Sequence, residues 1–442
     1  MSPAARQRPA PGRRAPQAPA DSLVGTTLEL EVGPVAHGGA CVARHEGRVV
    51  FVRHAVPGER VRARVTDGGA GSRFLRADAV EVLSASPDRV EPPCPWAGPG
   101  RCGGCDWQHV ALPVQRELKA AVVREQLARL AGLDLPVTVE AVPGDTDGLG
   151  WRTRVRFAVD AEARLALRKH RSHELVAVDR CRIAAPGVDE VHATEARWPG
   201  AGEVEVVASA GGDRTVLVSP AQGAHVKLPK VPAASSVLLE GAERPVRGRA
   251  WVREQVAGAD WRVAAAGFWQ VHPGAVDALV AAVLEGAQPA PGETALDLYA
   301  GAGVFAGVLA ERVGVTGTVV AVEGDRRAAS DARRNLHGYS HVRIETGPVD
   351  RVLRAGVGVE RADVVVLDPP RDGAGPQVVV GIAALAPRVV AYVACDPAPL
   401  ARDLRHFAAA GYAVRTLRAF DLFPMTQHVE CVAVLDRVEQ PA

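Results

Sequence analysis

Cys395 closes the apolar run "AYVACDPAPL", residues 391 to 400, where Asp396 and Pro397 open a helix-like segment. A thiol at the N-terminal end of a helix feels the positive end of its dipole, which favours thiolate, whereas the Asp396 carboxylate opposes it. Asp368 ends a second apolar run, "VVVLDPPRDG" at 364 to 373. The two prolines behind it set a stiff turn that directs the carboxylate toward the crevice at the strand's C-terminal edge. Glu430 follows His428 in "FDLFPMTQHVECVAVL", at the entrance to a late strand, where it could act as a base. Taken singly, each has a plainer reading: a core thiol, a strand stop, a solvated strand end. Together they supply a nucleophile, an acidic partner and a base. Cys431, beside the base, reads as a packing residue.

A ligand site is written into "ETALDLYAGAGVFAGVLAERV", a buried strand that turns through Gly301 and Gly303 into a helix. Glycines at such a turn let backbone approach a ligand. Glu323 ends the next strand, 26 residues beyond Asp297, where a carboxylate can accept both hydroxyls of a ribose. The turn reads G-A-G-V-F-A rather than G-x-G-x-x-G, and Asp297 and Tyr299 precede it. An acidic residue there suits a cofactor bearing a cationic amino acid and discourages a pyrophosphate. S-adenosylmethionine (SAM) therefore fits better than NAD.

The motifs "FWQVHP", "LDLYAGAGVF", "VVLDPPRDG", "YVACDPAPLARDL" and "FPMTQHVECVAVL", in this order, closely resemble the RNA uracil-5-methyltransferase family, which modifies ribosomal and transfer RNA. The resemblance covers nearly the whole chain. It implies that Cys395 attacks C6 of uracil, that Glu430 removes the C5 proton, and that Gln270, Tyr299, Glu323 and Asp368 contact SAM. It also implies extrusion of the target base from its stack. Two positions depart from the family's pattern: Ala300 stands where a cysteine is usual, and Asp396 where asparagine is common.

A further group of cysteines, Cys94, Cys102 and Cys105, forms a C-x7-C-x2-C array in a glycine-rich loop, with Cys181 in "VDRCRI" as a fourth candidate. Four thiolates suit zinc or an iron–sulfur cluster. In the resembled family similar cysteines, with the same "CGGC" and "QH" wording, hold a [4Fe-4S] cluster, which is the expectation here with zinc as the alternative. Residues 22 to 83 resemble a TRAM domain, an OB-like RNA-binding barrel, most clearly in "AHGGACVARHEGRVVFVRHAVPGERV". Arg152, Arg154 and Arg156 alternate in "WRTRVRF" and form a candidate phosphate-binding stripe, with Arg168, Lys169, His170 and Arg171 as a second patch.

The elements that must position these groups follow from periodicity. Residues 1 to 20 read as a disordered basic tail. Short alternating runs between glycine and proline turns predict a β-barrel over 21–85. A central domain, 86–265, combines a helix over 112–132 with a mainly antiparallel sheet. From 266 to 442 strands and helices alternate, predicting an α/β, Rossmann-like methyltransferase domain. Mean hydropathy near zero and a net charge of +1 fit a soluble chain. No apolar run reaches the length of a membrane span and no secretory signal is evident, so a cytoplasmic monomer is expected. Seven cysteines in such a chain suggest ligands or catalysis rather than disulfides. The reading is a SAM-dependent enzyme forming 5-methyluridine, leaning toward 23S ribosomal RNA, with transfer RNA open. Its rivals are cytosine-5 methylation of RNA and a non-catalytic iron–sulfur RNA-binding protein.

Overall fold

Alternating apolar and polar residues build the first sheet. In Arg60–Asp67 the side chains of Val61, Ala63 and Val65 point inward and are buried, while Arg60 and Arg64 are exposed. The computed structural model describes residues 21 to 438; the basic tail expected at 1–20 lies outside them. Residues 21–34 and 40–86 form one unit, and 35–39 with 87–438 form the other. The smaller unit is a five-stranded curled sheet. Its strands, Thr27–Glu31, Cys41–His45, Arg48–Arg53, Arg60–Asp67 and Phe74–Ser84, lie in the order first, fourth, fifth, third, second. This is the OB-like barrel architecture anticipated from the turn spacing.

The larger unit holds two main sheets. One has six strands around Arg154–Val159 and Ala201–Ala208, antiparallel except where Arg214–Pro220 meets Ser236–Leu239. The other has eight strands. Numbering those from Thr294–Leu298 onward in sequence, their order is third, second, first, fourth, fifth, seventh, sixth. The first five are parallel. The seventh, Glu430–Arg437, is inserted antiparallel between Val389–Ala394 and Tyr412–Asp421. Strands covered on both faces need continuous apolar runs. All four side chains of Val364–Leu367 are fully buried, as are those of Val389–Val393. This is the Rossmann-like domain the alternation predicted.

The eighth strand, Val139–Ala141, comes from the segment read as central domain and pairs in parallel with Tyr412–Asp421. Just before it, helix Leu112–Gln126 runs into a π-type turn, Leu127–Ala131, that stops at Gly132 in the left-handed region (φ 70°). Its apolar spacing predicted the helix. Unforeseen were two polar side chains one turn apart that are wholly buried, Gln115 and Lys119. The Lys119 ammonium donates to an Asp421 carboxylate oxygen and to the Phe423 carbonyl. Desolvation holds its pKa down, and Asp421 opposes that.

Removing one partner of a buried ion pair leaves an uncompensated charge. Lys119→Met is therefore expected to destabilise the larger unit by about 3–5 kcal/mol in a denaturant titration. The double variant Lys119→Met/Asp421→Leu should recover most of that loss. Equal destabilisation in both would refute a role for the charge.

Candidate active site

Strand register assembles the site. Strand Thr294–Leu298 pairs in parallel with Val364–Leu367, and that with Val389–Ala394, so Tyr299, Asp368 and Cys395 leave the sheet at one edge. The antiparallel seventh strand starts at that edge: Cys431 lies opposite Ala394, which sets Glu430 beside the exit of Cys395. The reversal of strand order lies between Thr294–Leu298 and Val364–Leu367, where open α/β sheets bind ligands.

The site is largely buried and rich in carboxylates. Burial pushes the Cys395 thiol up to about 11, helped by the charges of Glu430, Asp368 and Asp396, while Arg371 pulls it down. Glu430, 1% exposed, is held well above the usual carboxylate range by burial and by Asp368, with Arg371 opposing. Burial raises Asp368 to about 7. Arg371, three residues beyond Asp368, was not singled out in the sequence, although "PPRDG" placed a cation directly after the proline turn. Cys431 is fully buried in the apolar core, in keeping with a packing role.

At the glycine turn, Tyr299 itself has positive φ (65°), and Gly301 and Gly303 follow with φ 56° and 89°. A Cβ on Gly303 would stand 2.9 Å from Leu336 and 3.2 Å from Ala332. Glycine is thus required there by space as well as conformation. Asp297 is fully buried; its Oδ2 accepts from the Ala306 amide at 2.8 Å, and its Oδ1 has no partner. It ties the strand to helix Val304–Val313 from below the turn. Glu323 accepts from the Gly301 amide (2.7 Å) with Oε2 and from the Asp325 amide with Oε1. Asp297 is thus buried beneath the turn, while Glu323 stands at the neighbouring strand end and holds the turn's backbone. Gln270 is half-buried, and two residues before it Phe268 stands 78% exposed, an aromatic face the sequence reading passed over.

The arginine stripe is corrected. Arg154 is 6% exposed and faces inward, donating from Nη1 to the carbonyls of Ala265 and Gly267, which lead into the "FWQ" segment. Arg156 pairs with Glu205, Arg168 with Glu203, and Lys169 with Glu174. Alternation was right for the strand, but of its arginines only Arg156 stays exposed, while Arg154 is taken up by the backbone that leads into "FWQ".

The cysteine loop packs onto the loop that precedes Glu430. The amides of Asp106 and Trp107 both donate to the Met425 carbonyl (2.9 and 3.0 Å), and the Gln427 amide donates to Asp106 Oδ2. Gly103 lies so close to His170 that a Cβ would stand 2.3 Å from its backbone nitrogen. Burial drives the Cys102 and Cys105 thiols up, and Cys181 to about 11. Cys94, Cys102 and Cys181 each add to the shift of Cys105, so the four sulfurs lie within one another's field. They are gathered without forming a ligand shell: among the described residues no group of three or more His, Cys, Asp or Glu side chains is arranged to hold a metal ion. Nor is any described helix long and apolar enough to cross a membrane.

Residues 355–438 match the tRNA (uracil-5-)-methyltransferase family, and residues 21–80 match the TRAM domain. An uncharacterized RNA methyltransferase of Streptomyces coelicolor is 54% identical over 94% of each chain. One from Bifidobacterium longum is 38% identical over 92% of this chain and 96% of its own. The chain belongs to the RNA uracil-5-methyltransferase family. Its fold is also that of the Pyrococcus abyssi tRNA (uracil-54, C5)-methyltransferase, which is 23% identical with a TM-score of 0.66 and covers 92% of this chain and 99% of that one. As a family member it is a SAM-dependent RNA methyltransferase, with an RNA-binding TRAM domain.

Asp297 yields a stability test on the cofactor-free protein. Its pKa rises from 3.8 unfolded to about 7 folded. A raised folded pKa favours the folded state fully below the unfolded value, and that contribution is lost as pH climbs through the folded one. Asp297→Asn keeps an acceptor for Ala306 without the charge. Its stability relative to the parent is expected to improve between pH 4 and 7 and then level off, by on the order of 1–3 kcal/mol. An unchanged difference across denaturant titrations at pH 4.5, 6 and 8 would refute the buried-carboxyl reading.

Proposed function

We propose that the chain methylates C5 of a uridine in RNA through a covalent bond to Cys395, with Glu430 as the base. The observation that supports this most is the convergence of Cys395, Asp368 and Glu430 from three adjacent strands on one desolvated edge. Uracil C5 is too weak a nucleophile to accept a methyl group unaided. Addition of the Cys395 sulfur to C6 forms a C–S bond and moves the ring's electron pair to C5, which becomes nucleophilic. SAM supplies the electrophilic methyl group. Glu430 then takes the C5 proton, and the returning electron pair re-forms the ring double bond and expels the sulfur. A carboxylate whose pKa is raised by burial is a stronger proton acceptor than a solvated one, which suits this step.

Gln270, Asp297, Tyr299, Gly301, Gly303, Glu323 and Asp368 form the proposed SAM site. Asp297 holds the turn rather than touching the ligand, and Glu323 offers its oxygens to the ribose. Asp368 lies between this site and the thiol and orients the target base. Phe268 offers its exposed ring to an unstacked base. Transfer RNA is the first substrate to test, because the matched family and the solved structure of the same fold are both described by tRNA. The ribosomal RNA suggested by the barrel and cysteine loop comes second. Cys94, Cys102, Cys105 and Cys181 would hold a [4Fe-4S] cluster once their sulfurs draw together, fixing the loop that carries Asp106 and Trp107; it has no part in the methyl transfer.

Cys395→Ala is expected to abolish methylation while RNA binding persists, measured with labelled SAM and a filter-binding assay. RNA containing 5-fluorouridine should trap a covalent adduct at Cys395, since fluorine cannot leave C5 as a cation. Turnover by the alanine variant, or no adduct on an RNA the protein methylates, would overturn the mechanism. Separately, protein purified without oxygen should show broad visible absorption that Cys105→Ala removes. Colourless protein with bound zinc would decide against the cluster.

A further inference from the structure

His37 lies 359 residues before Asp396 in the sequence, yet its Nε2 stands 3.0 Å from Asp396 Oδ1. The segment 35–39 belongs to the larger unit, so this is a contact within the body that holds the active site. Asp396 follows the nucleophile directly and caps helix Pro397–Ala409, the same Oδ1 accepting from the Ala398 amide at 2.9 Å. A full negative charge one residue from Cys395 works against the thiolate, and Asp396 is among the groups that push this thiol up. We propose that His37 is a positioning residue for the reaction: its imidazolium neutralises Asp396, so that the carboxylate can cap the helix without suppressing ionisation of Cys395.

The surrounding charges agree with that role. The hydrogen bond to Asp396 raises the pKa of His37, partial burial lowers it, Asp396 and Glu125 raise it further, and Arg402 lowers it. Burial works to raise Asp396, but the hydrogen bond to His37, the Ala398 amide and the charges of His37 and His428 together hold it below the usual carboxylate range. Around Cys395 the remaining charges are Glu430, Asp368 and Arg371. Asparagine at position 396 would cap the helix without this conflict, whereas aspartate brings a charge that needs an answer. The pair is partly solvated, with 40% and 31% of the two side chains exposed, so its effect on the thiol is moderate.

The inference rests on Cys395 as nucleophile, but its test requires neither RNA nor SAM. The rate of iodoacetamide labelling at Cys395, followed by peptide mass spectrometry from pH 6 to 10, reports the thiolate fraction. At pH 7.5 His37→Ala is expected to slow labelling roughly two- to fivefold. His37→Gln keeps a donor without a charge and should behave like the alanine variant. Asp396→Asn should speed labelling, and in that background His37→Ala should have no further effect. Labelling at the parent rate in both His37 variants, or the same slowing in the Asp396→Asn background, would overturn the proposal. Failure of the 5-fluorouridine adduct would count against the methylation mechanism alone.

Discussion

One buried amide ties the segment leading to Glu430, the proposed base, to the rest of the molecule. Gln115 Nε2 donates to the carbonyls of Trp107 and Val110 (3.0 and 2.8 Å), and its Oε1 accepts from the Met425 amide at 2.9 Å. One helical turn on, Lys119 holds Asp421 and Phe423. The helix thus grips the chain from 421 to 425, and the cysteine loop grips the same Met425 through its carbonyl. Met425 takes positive φ (66°), a conformation a side chain rarely adopts unless its neighbours enforce it. Five residues later comes Glu430. A buried amide left unpaired costs about 1–3 kcal/mol, and a base displaced by about an ångström loses its reach to the proton it must take.

The electrostatic character of the site follows from that enclosure. Three carboxyl groups and a thiol share a desolvated edge where like charges cannot all be expressed, and Arg371 is the cation that opposes their repulsion. Burial and these like charges therefore push both the Glu430 carboxyl and the Cys395 thiol above their ordinary ranges, with Arg371 opposing. Asp396 and Glu323 are instead tied down by backbone amides, Ala398 to Asp396 and Gly301 to Glu323. The arrangement separates charge that builds the loops from charge that performs the chemistry.

Much of this was legible in the residues. Strand–glycine–helix punctuation located Asp297, Tyr299 and Glu323, because the turn demands glycine where a Cβ would strike Leu336. Cys395 and Asp368 stood out because each follows an apolar strand run, and Glu430 because it opens a late one; that the three share one edge only the strand register shows. Periodicity could not show that Arg154 faces inward, since the carbonyls that bury it, Ala265 and Gly267, come from a distant segment. Nor could it show Gln115 and Lys119 as buried, because each is an ordinary polar residue on a helix until its partner, about 300 positions away, is known. The pairing of His37 with Asp396 escaped for the same reason. Local pattern reports the elements; contacts between distant segments come from packing.

The strand inserted between two earlier ones has a consequence for how the enzyme comes into being. Val389–Ala394 and Tyr412–Asp421 leave the ribosome before Glu430–Arg437, yet neither pairs with the other; each pairs with the latecomer. Until that strand arrives the sheet is interrupted between those two strands, Glu430 is missing from the exit of Cys395, and the loop around Met425 has nothing to lead into. A partly translated chain can carry the barrel, the glycine turn and the nucleophile, and still lack a working active site. The proposed site is thus complete only once Glu430–Arg437 has been made, well after the TRAM module has emerged.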